Sequence, residues 1–503
     1  MELTAHVFNI SQGRNEVVLS LKQAYDLGVL NTDRVRLTHK NKSISAIVDI
    51  CENCLRYGQI GIFKEAAQQL EIKNNNIIIV NPERRPASLD YIKKKLDGEI
   101  LKKEEIMDVI SDLMSEKLSK VELGIFISAI YTRGMNTDEI ASLTHAIYKS
   151  GNALHFKKKP IVSQHGIGGV AGDRTSMLVV PIIASLGILI PKTASRAISS
   201  AAGTADVMEV LCNVNFNVKQ VQKIVEKTNG CLIWGGTVGL AAADDKLIQI
   251  RNQLQLDPKP LLLSSIIAKK KAEGAQFVLI DLPIGRGTKL ESKEHALSLA
   301  NEFRVLGAKI GLKVECIITD GSEPLMPFIG PNLEARAILK ELKNQSFYNS
   351  ELVNKALLTS GYLISMARGV SNEEGFKIAR QALISGKAFE KMKEIIAAQG
   401  GNPNIDPDKI PLGKFVKIIY SKASGKVNHI DNKAISKIAR ALGAPRVKKA
   451  GLELHVAKGR KVKQGDKIMT LYAENQQNLN DAEQLLKKIE VIEIGSIVMQ
   501  LVT

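Results

Sequence analysis

The sequence predicts a multidomain α/β protein. A small N-terminal α+β, barrel-like domain comes first, then a helical subdomain. A central, mostly parallel α/β domain follows, and then a C-terminal α+β domain with barrel-sandwich character. Three observations predict it. The 503 residues exceed one domain at roughly 100–200 residues each. From Pro160 onward, apolar strand-like runs alternate with helical ones, the pattern of a parallel sheet covered on both faces. The texture also changes at the Pro82–Pro86 segment around Arg84 and Arg85, near residue 158 and near residue 413. The expected domains are therefore 1–84; 87–157 together with about 240–272; 158–239 with 273–412; and 413–503.

Within 1–84, HVFNI, EVVLSL, RVRLTH and SISAIVDI alternate or run apolar and read as strands. Ile62 to Leu70 has helical spacing, and NNNIIIV is a last strand. In 87–157, Ser88 stands where a cap would start LDYIKKKLDG; KEEIMDVISDLMSEKL, KVELGIFISAIYTRG and a segment opening at Asn136 complete the helices. In the central region, KPIVSQHG is a strand, TSMLVVPIIASLG a helix, and PKTASRAISSAAGTADVMEVL a loop leading into a helix. FVLIDLPI and KVECIITDG are buried strands, and Ser371 to Glu374 forms a capping box. Beyond 413, GKFVKIIYS, GLELHVAKGRKVKQGDKIMTLYA and VIEIGSIVMQLV read as strands around the helix NLNDAEQLLKK. The stretch from Val456 to Leu471 has the look of half a biotinyl/lipoyl-type domain without its carrier lysine tripeptide, which implies a structural role.

Composition narrows the function. Apolar residues are 45% of the chain, enough for sizeable cores. No apolar run is long enough to span a membrane, and the start carries no secretory pattern, so a cytoplasmic protein is expected. Five cysteines do not make a disulfide framework and fit a reducing compartment. Cys51 and Cys54 form one C-x-x-C with no second pair or nearby His, a weak zinc or redox signal. The histidines show no metal spacing, so neither metal nor cofactor is expected. Lys+Arg 69 against Asp+Glu 52 gives +17, an affinity for anions. With aromatics at 4%, a base-stacking nucleic-acid surface is disfavoured, and a small anionic ligand fits better.

Four segments can carry chemistry, and the loops among them stand at strand carboxyl ends, where such sheets bind ligands. Gln164-His-Gly-Ile-Gly-Gly-Val-Ala-Gly-Asp-Arg-Thr-Ser176 is a glycine-rich turn before a helix, able to offer backbone amides to an oxyanion. His165, Gly168, Arg174, Thr175 and Ser176 are its phosphate-site candidates. It is neither a Walker loop nor a dinucleotide fingerprint. Lys192 to Asp206 gathers small residues and hydroxyls around Arg196, whose guanidinium can clamp a phosphate. Asp257, amid apolar neighbours, is a candidate proton donor with a raised pKa. Ser265 and Lys269 share a helix face beyond it, with Lys269 on the base side. Gly285-Arg-Gly-Thr-Lys289 puts a lysine on a flexible loop that can reach a phosphate. Trp234 reads as packing.

Together the run HGIGGVAGDRTSMLVVPIIASLGILIPKTASRAISSAAGTADVMEVL resembles the signature of the thymidine/pyrimidine-nucleoside phosphorylases, in the longer, archaeal-type branch that uses nucleotides, the AMP phosphorylases. The resemblance covers almost the whole chain, and residues like 1–84 are absent from the shorter branch. It implies the nucleoside phosphorylase/phosphoribosyltransferase type of α/β fold and the reaction of AMP with phosphate to give adenine and ribose 1,5-bisphosphate, with CMP and UMP as similar substrates. It implies AMP contacts at Gly169, Ser195, Arg196, Ala197, Ile198, Ser199, Ser200, Thr204, Ser265 and Lys289, and Asp257 as proton donor. It also implies a homodimer or higher homo-oligomer.

The chain departs from the family pattern. It has Gln164-His165-Gly166 in place of Lys-His-Ser, and Thr193-Ala194-Ser195-Arg196 in place of Thr-Ser-Ser-Arg. One ammonium and two hydroxyls are missing, each worth roughly 1.5–3 kcal/mol on a charged ligand. Arg174, Thr175, Ser176 and Lys157–Lys159 are candidate substitutes. The alternatives are a thymidine/pyrimidine-nucleoside phosphorylase, a magnesium-dependent phosphoribosyltransferase of the anthranilate type, and a weakened or non-catalytic nucleotide-binding paralogue.

Overall fold

The computed structural model describes residues 1–197, 200–343 and 350–495. The chain divides into two compact units, Met1–Gly151 with Ala241–Ala268, and Asn152–Leu240 with Lys269–Thr503.

The first unit opens with a closed six-stranded barrel. Its strands are β1 (Glu2–Val7), β2 (Glu16–Ser20), β3 (Arg34–His39), β4 (Lys42–Cys51), β5 (Gln59–Ile62) and β6 (Ile77–Glu83), in the order β1-β5-β2-β4-β3-β6. Alternation fills it: Ile78 and Val80 of β6 are buried while Ile77 and Ile79 face out. Two elements were hidden in the sequence. EVVLS forms strand β2 as read, but the last residue of that run, Leu21, opens an unexpected helix, Leu21–Leu27. Ser20 caps that helix by accepting from the Gln23 amide, and Gly28 ends it at φ 66°. The helix after β5 starts at Lys64, since Gln59–Ile62 pairs with β1 and β2. Cys51 and Cys54 are joined in a disulfide across the turn that leaves β4.

A helical bundle follows: Ser88–Leu96, Lys103–Met114, Lys120–Arg133 and Thr137–Lys149, joined by Ala242–Leu254. Phe126, Ile127, Ile130, Ile106 and Leu143 are its buried centre. Ser119 and Asn136 cap their helices on the amides of Glu122 and Glu139. Ser88 does not cap. It is the first helical residue, fully buried, and its hydroxyl has no hydrogen-bond partner.

The second unit is built on parallel strands β7 (Val162–Gly166), β8 (Ile190–Ala194), β9 (Gly230–Trp234), β10 (Phe277–Ile284) and β11 (Lys313–Asp320). β11-β10-β7 form one ladder and β8-β9 another; a parallel bridge between Ile161 and Leu189 continues the order to β11-β10-β7-β8-β9. From β7 the chain runs outward through β8 and β9, then returns to the other side for β10 and β11. The switch point, where open α/β sheets bind ligands, thus falls between β7 and β10. Helix Thr175–Ser185 is buried along nearly its whole surface, as its unbroken apolar sequence demands. Lys192 and Thr193, expected in a loop, lie in β8; they are polar residues buried in a strand, a pattern that hides it from hydropathy.

The C-terminal part adds β12 (Phe328–Ile329), β13 (Phe415–Tyr420), β14 (Gly425–Ile430), β15 (Gly451–Leu454), β16 (Lys461–Val462), β17 (Lys467–Ala473) and β18 (Ile492–Gly495). They form a four-stranded sheet, β12-β15-β17-β13, and a three-stranded one, β16-β14-β18. Helices Asn432–Ala441 and Gln476–Leu486 pack on their shared core. β14 and the first of these helices had no counterpart in the sequence reading. Residues 496–503, the end of the expected last strand, lie outside the described residues.

Candidate active site

The loops after β7, β10 and β11 meet at the carboxyl edge of the sheet. The Ile167 amide donates to the Asp281 carbonyl at 3.1 Å as the chain leaves β7. Gly169 then takes φ 102°, and a Cβ there would stand 3.1 Å from Thr288 Cα and 3.2 Å from the Lys289 nitrogen. Only glycine permits this contact, which seats the glycine turn on the loop carrying Lys289. The Thr288 hydroxyl lies 2.8 Å from the Gly285 carbonyl and 2.6 Å from the Leu290 carbonyl, with its single proton shared between them, which fixes the shape of that loop.

Buried charge lies beneath these loops. Glu273 is fully buried and accepts from Lys270 Nζ at 2.8 Å, from Ser163 Oγ at 2.6 Å and from the Thr193 amide at 3.1 Å. Burial works against its charge, but Lys270 and Lys192 outweigh it and hold the carboxyl below its ordinary value. Lys192 Nζ donates to the Gln164 carbonyl at 2.8 Å; burial, then Lys270, brings it down to about 7. His165 is kept neutral well below its ordinary range, first by burial and then by Lys192, Lys270, Lys269 and Lys289. A second group centres on Lys355, from helix Glu351–Arg368, which pairs with Asp281 at 2.5 Å and Asp173 at 3.1 Å. Burial raises the Asp281 carboxyl, and Asp173 adds to the effect.

Four of the expected substitutes for the missing phosphate ligands, Arg174, Thr175, Ser176 and Lys158, hold partners within the protein. Arg174 is buried and pairs with Glu334. The Thr175 hydroxyl donates to Asp173 at 2.7 Å, and the Ser176 hydroxyl to Gln164 Oε1 at 2.6 Å. Lys158 reaches Asn229 at 2.8 Å. Gly168, at φ 85°, has open space where a side chain would be.

In the next loop, Arg196 donates to both carboxylate oxygens of Glu209 (2.5 and 2.8 Å) and to Asp206 at 3.2 Å, with its guanidinium 4.8 Å from the Trp234 ring. Trp234 therefore packs against this loop. Glu209, which also binds Lys448, is held down to about 2 by Arg196 and Lys448. Asp206 Oδ2 accepts from the amides of Ala197 (2.8 Å) and Gly203 (2.9 Å), which closes the loop on itself. Ser195 is exposed, its carbonyl accepting from the Ala205 amide; Ser200 Oγ donates to Ala202, and Thr204 starts helix Thr204–Met208. Ile198 and Ser199 lie outside the described residues.

In the first unit, Asp257 stands between helices Ala242–Leu254 and Lys259–Ala272. Its side chain is 49% exposed and pairs with Arg251 at 3.2 Å. The apolar setting expected for it is thus replaced by a wetter one beside a cation. Ser265 Oγ donates to Asp244 at 2.6 Å. Lys269 follows on the same helix, past the boundary at which the chain passes to the second unit.

Residues 89–151 match the "Glycosyl transferase family, helical bundle domain", 158–389 the "Glycosyl transferase family, a/b domain", and 426–494 the "Pyrimidine nucleoside phosphorylase C-terminal domain". The AMP phosphorylase of Pyrococcus furiosus is 42% identical over 498 residues, 99% of this chain and 98% of that protein. The chain belongs to the AMP phosphorylase family. Other members are the AMP phosphorylase of Methanosarcina mazei, 43% identical over 96% of this chain and 94% of its own length, and AMP phosphorylase 1 of Archaeoglobus fulgidus, 41% identical over 97% and 96%. The fold is shared with anthranilate phosphoribosyltransferases from Thermus thermophilus (TM-score 0.52, 22% identity, 62% of this chain and all of that one) and Saccharomyces cerevisiae (TM-score 0.51, 18% identity, 62% of this chain and 98% of that one). In this AMP phosphorylase family member, Glu273, Asp281, Lys355, Asp206 and Glu209 escaped the sequence reading. Only the last two left a trace there, as acids three apart at the helix that follows the Arg196 loop.

Proposed function

We propose that the protein is a pentosyltransferase that converts AMP and phosphate to adenine and ribose 1,5-bisphosphate, and that CMP and UMP are further substrates. The observation that carries this is 42% identity to an AMP phosphorylase over 99% of the chain, with the glycine turn at the β7–β10 switch point. In the proposed chemistry the glycosidic carbon passes through an oxocarbenium-like state. Asp257 protonates the departing base, phosphate attacks the sugar carbon, and amides and ammonium groups of the β7 and β10 loops hold the anions. Neutral His165 donates a hydrogen bond without adding charge. Arg196 acts by shaping its loop through Asp206 and Glu209, and backbone and hydroxyl groups of residues 195–200 and Thr204 contact AMP. The proposal places this chemistry in the cytoplasm, in a homodimer or larger homo-oligomer. Among the described residues no helix is long and apolar enough to cross a membrane.

Chromatographic assay of adenine release tests this. Release of adenine from AMP must depend on phosphate, exceed release of adenine from adenosine and of thymine from thymidine, and fall by about 10²-fold or more in Asp257→Asn, as expected for general acid catalysis. The replacements Gln164, Gly166 and Ala194 favour a second reading, a non-catalytic nucleotide binder. AMP binding without release of adenine at any phosphate concentration would establish that reading.

A further inference from the structure

Helix Asn432–Ala441 begins with a side chain that its own helix does not use. Asp431 is the cap, accepting from the Ala434 amide at 2.7 Å. Asn432, only 2% exposed, turns its amide outward from the helix. Its Oδ1 accepts from the Ala171 amide at 2.8 Å, and its Nδ2 donates to the carbonyls of Gly321 at 3.0 Å and Ser322 at 3.3 Å. A buried amide needs such partners, and these lie far away in sequence.

The partners belong to the site. Ala171 sits in the glycine turn after β7, and Gly321 directly follows β11. A Cβ at Gly321 would be 2.8 Å from Thr288 Cγ2 and 2.9 Å from Val170 Cγ2, so the three strand-end loops pack together there. A second link runs beside it: Glu323 accepts from the Ile430 amide at 2.9 Å and pairs with His429 at 2.9 Å.

We propose that Asn432 is a positioning residue for phosphate, holding the glycine turn after β7 against the loop after β11 so that the turn's amides are set before the anion arrives. The inference rests on the phosphorolysis reading. Preorganised donors bind an anion without reordering cost. Removing the latch therefore weakens phosphate, and leaves the Arg196 loop, held by Asp206, as it was.

Three variants of the full chain test this: Asn432→Ala, the milder Asn432→Ser, and Ile435→Ala as a control. Ile435 is fully buried in the same helix, in the apolar core that also holds Ala171, and makes none of the latch's hydrogen bonds. Phosphate affinity is read by calorimetry with inorganic phosphate and as the phosphate KM, with the AMP KM and thermal midpoint alongside. The expected result is a loss of phosphate affinity of about tenfold for Asn432→Ala, the effect of one lost charge-directed contact, with a smaller loss for Asn432→Ser. The AMP KM should change less than the phosphate KM, and the control should keep wild-type phosphate affinity at an equal or greater drop in midpoint. Unchanged phosphate affinity in both Asn432 variants, or an equal loss in the control, overturns the inference while leaving phosphorolysis standing. A wild-type protein that binds phosphate without turnover fails the functional reading, and the binding comparison still decides this one. No phosphate binding by the wild type overturns both.

Discussion

A Cβ at Gly166 would stand 3.6 Å from Asp281 Oδ2 and 3.9 Å from Gln164 Nε2, ordinary contact distances. The position has room for a side chain that this chain does not supply. Gly166→Ser should fold as the wild type does and lower the phosphate KM by about tenfold, the worth of one hydroxyl on a charged ligand; an unchanged or raised KM would show that the pocket works without a hydroxyl there. Lys192 offers a pH test. It is depressed from 10.5 to about 7, so the unfolded chain binds its proton more tightly than the folded one. Stability from this group rises with pH between those values, is complete above 10.5, and is lost as pH falls through about 7. Lys192→Met lacks that slope. The difference in unfolding free energy, wild type minus variant, should therefore grow as pH rises from neutrality; a flat difference in denaturant titrations refutes it.

The loop from Ser195 to Glu209 is held by one carboxylate, Asp206, which accepts two amides and touches Arg196. Asp206→Ala leaves those amides without their acceptor, at about 1–3 kcal/mol each. It should raise the AMP KM more than the phosphate KM, the reverse of the Asn432 lesion, and steady-state kinetics in both substrates will show whether the two loops are separable. Legibility varied with the kind of element. Helices with a cap and an amphipathic stripe, such as those opened by Asn136 and Ser371, could be read locally because their signals lie within one turn. β8 could not, because Lys192 and Thr193 look like surface residues until Gln164 and Glu273 are folded beside them. Helix Asn432–Ala441 went unread although its apolar stripe of Ile435, Ile438 and Ala439 is regular. It follows β14, whose alternation is too short to announce a strand.

Over the whole molecule, the glycine turns and the order of strands and helices were visible because backbone freedom and hydropathy are written residue by residue. The buried ionic network was not: Glu273, Asp281 and Lys355 are unremarkable alone and acquire meaning from partners far along the chain, such as Thr193 for Glu273, Lys355 for Asp281 and Asp173 for Lys355. The net charge of +17 acts at this scale too. Its field draws in anionic substrates and is screened over about 10 Å at 0.1 M salt. The kcat/KM for AMP should fall as potassium chloride rises while kcat holds; equal decline of both would point to a salt effect on the fold. One pairing limits how the chain can be cut. The two residues of β12 arrive before the helix Pro331–Lys343, yet their strand partner, β15, is more than a hundred positions later. A version ending near residue 412 would be left with a raw edge where that neighbour had been, and with Ala171 and Gly321 stripped of the amide that joins them. Such a fragment should clump rather than survive as a smaller enzyme.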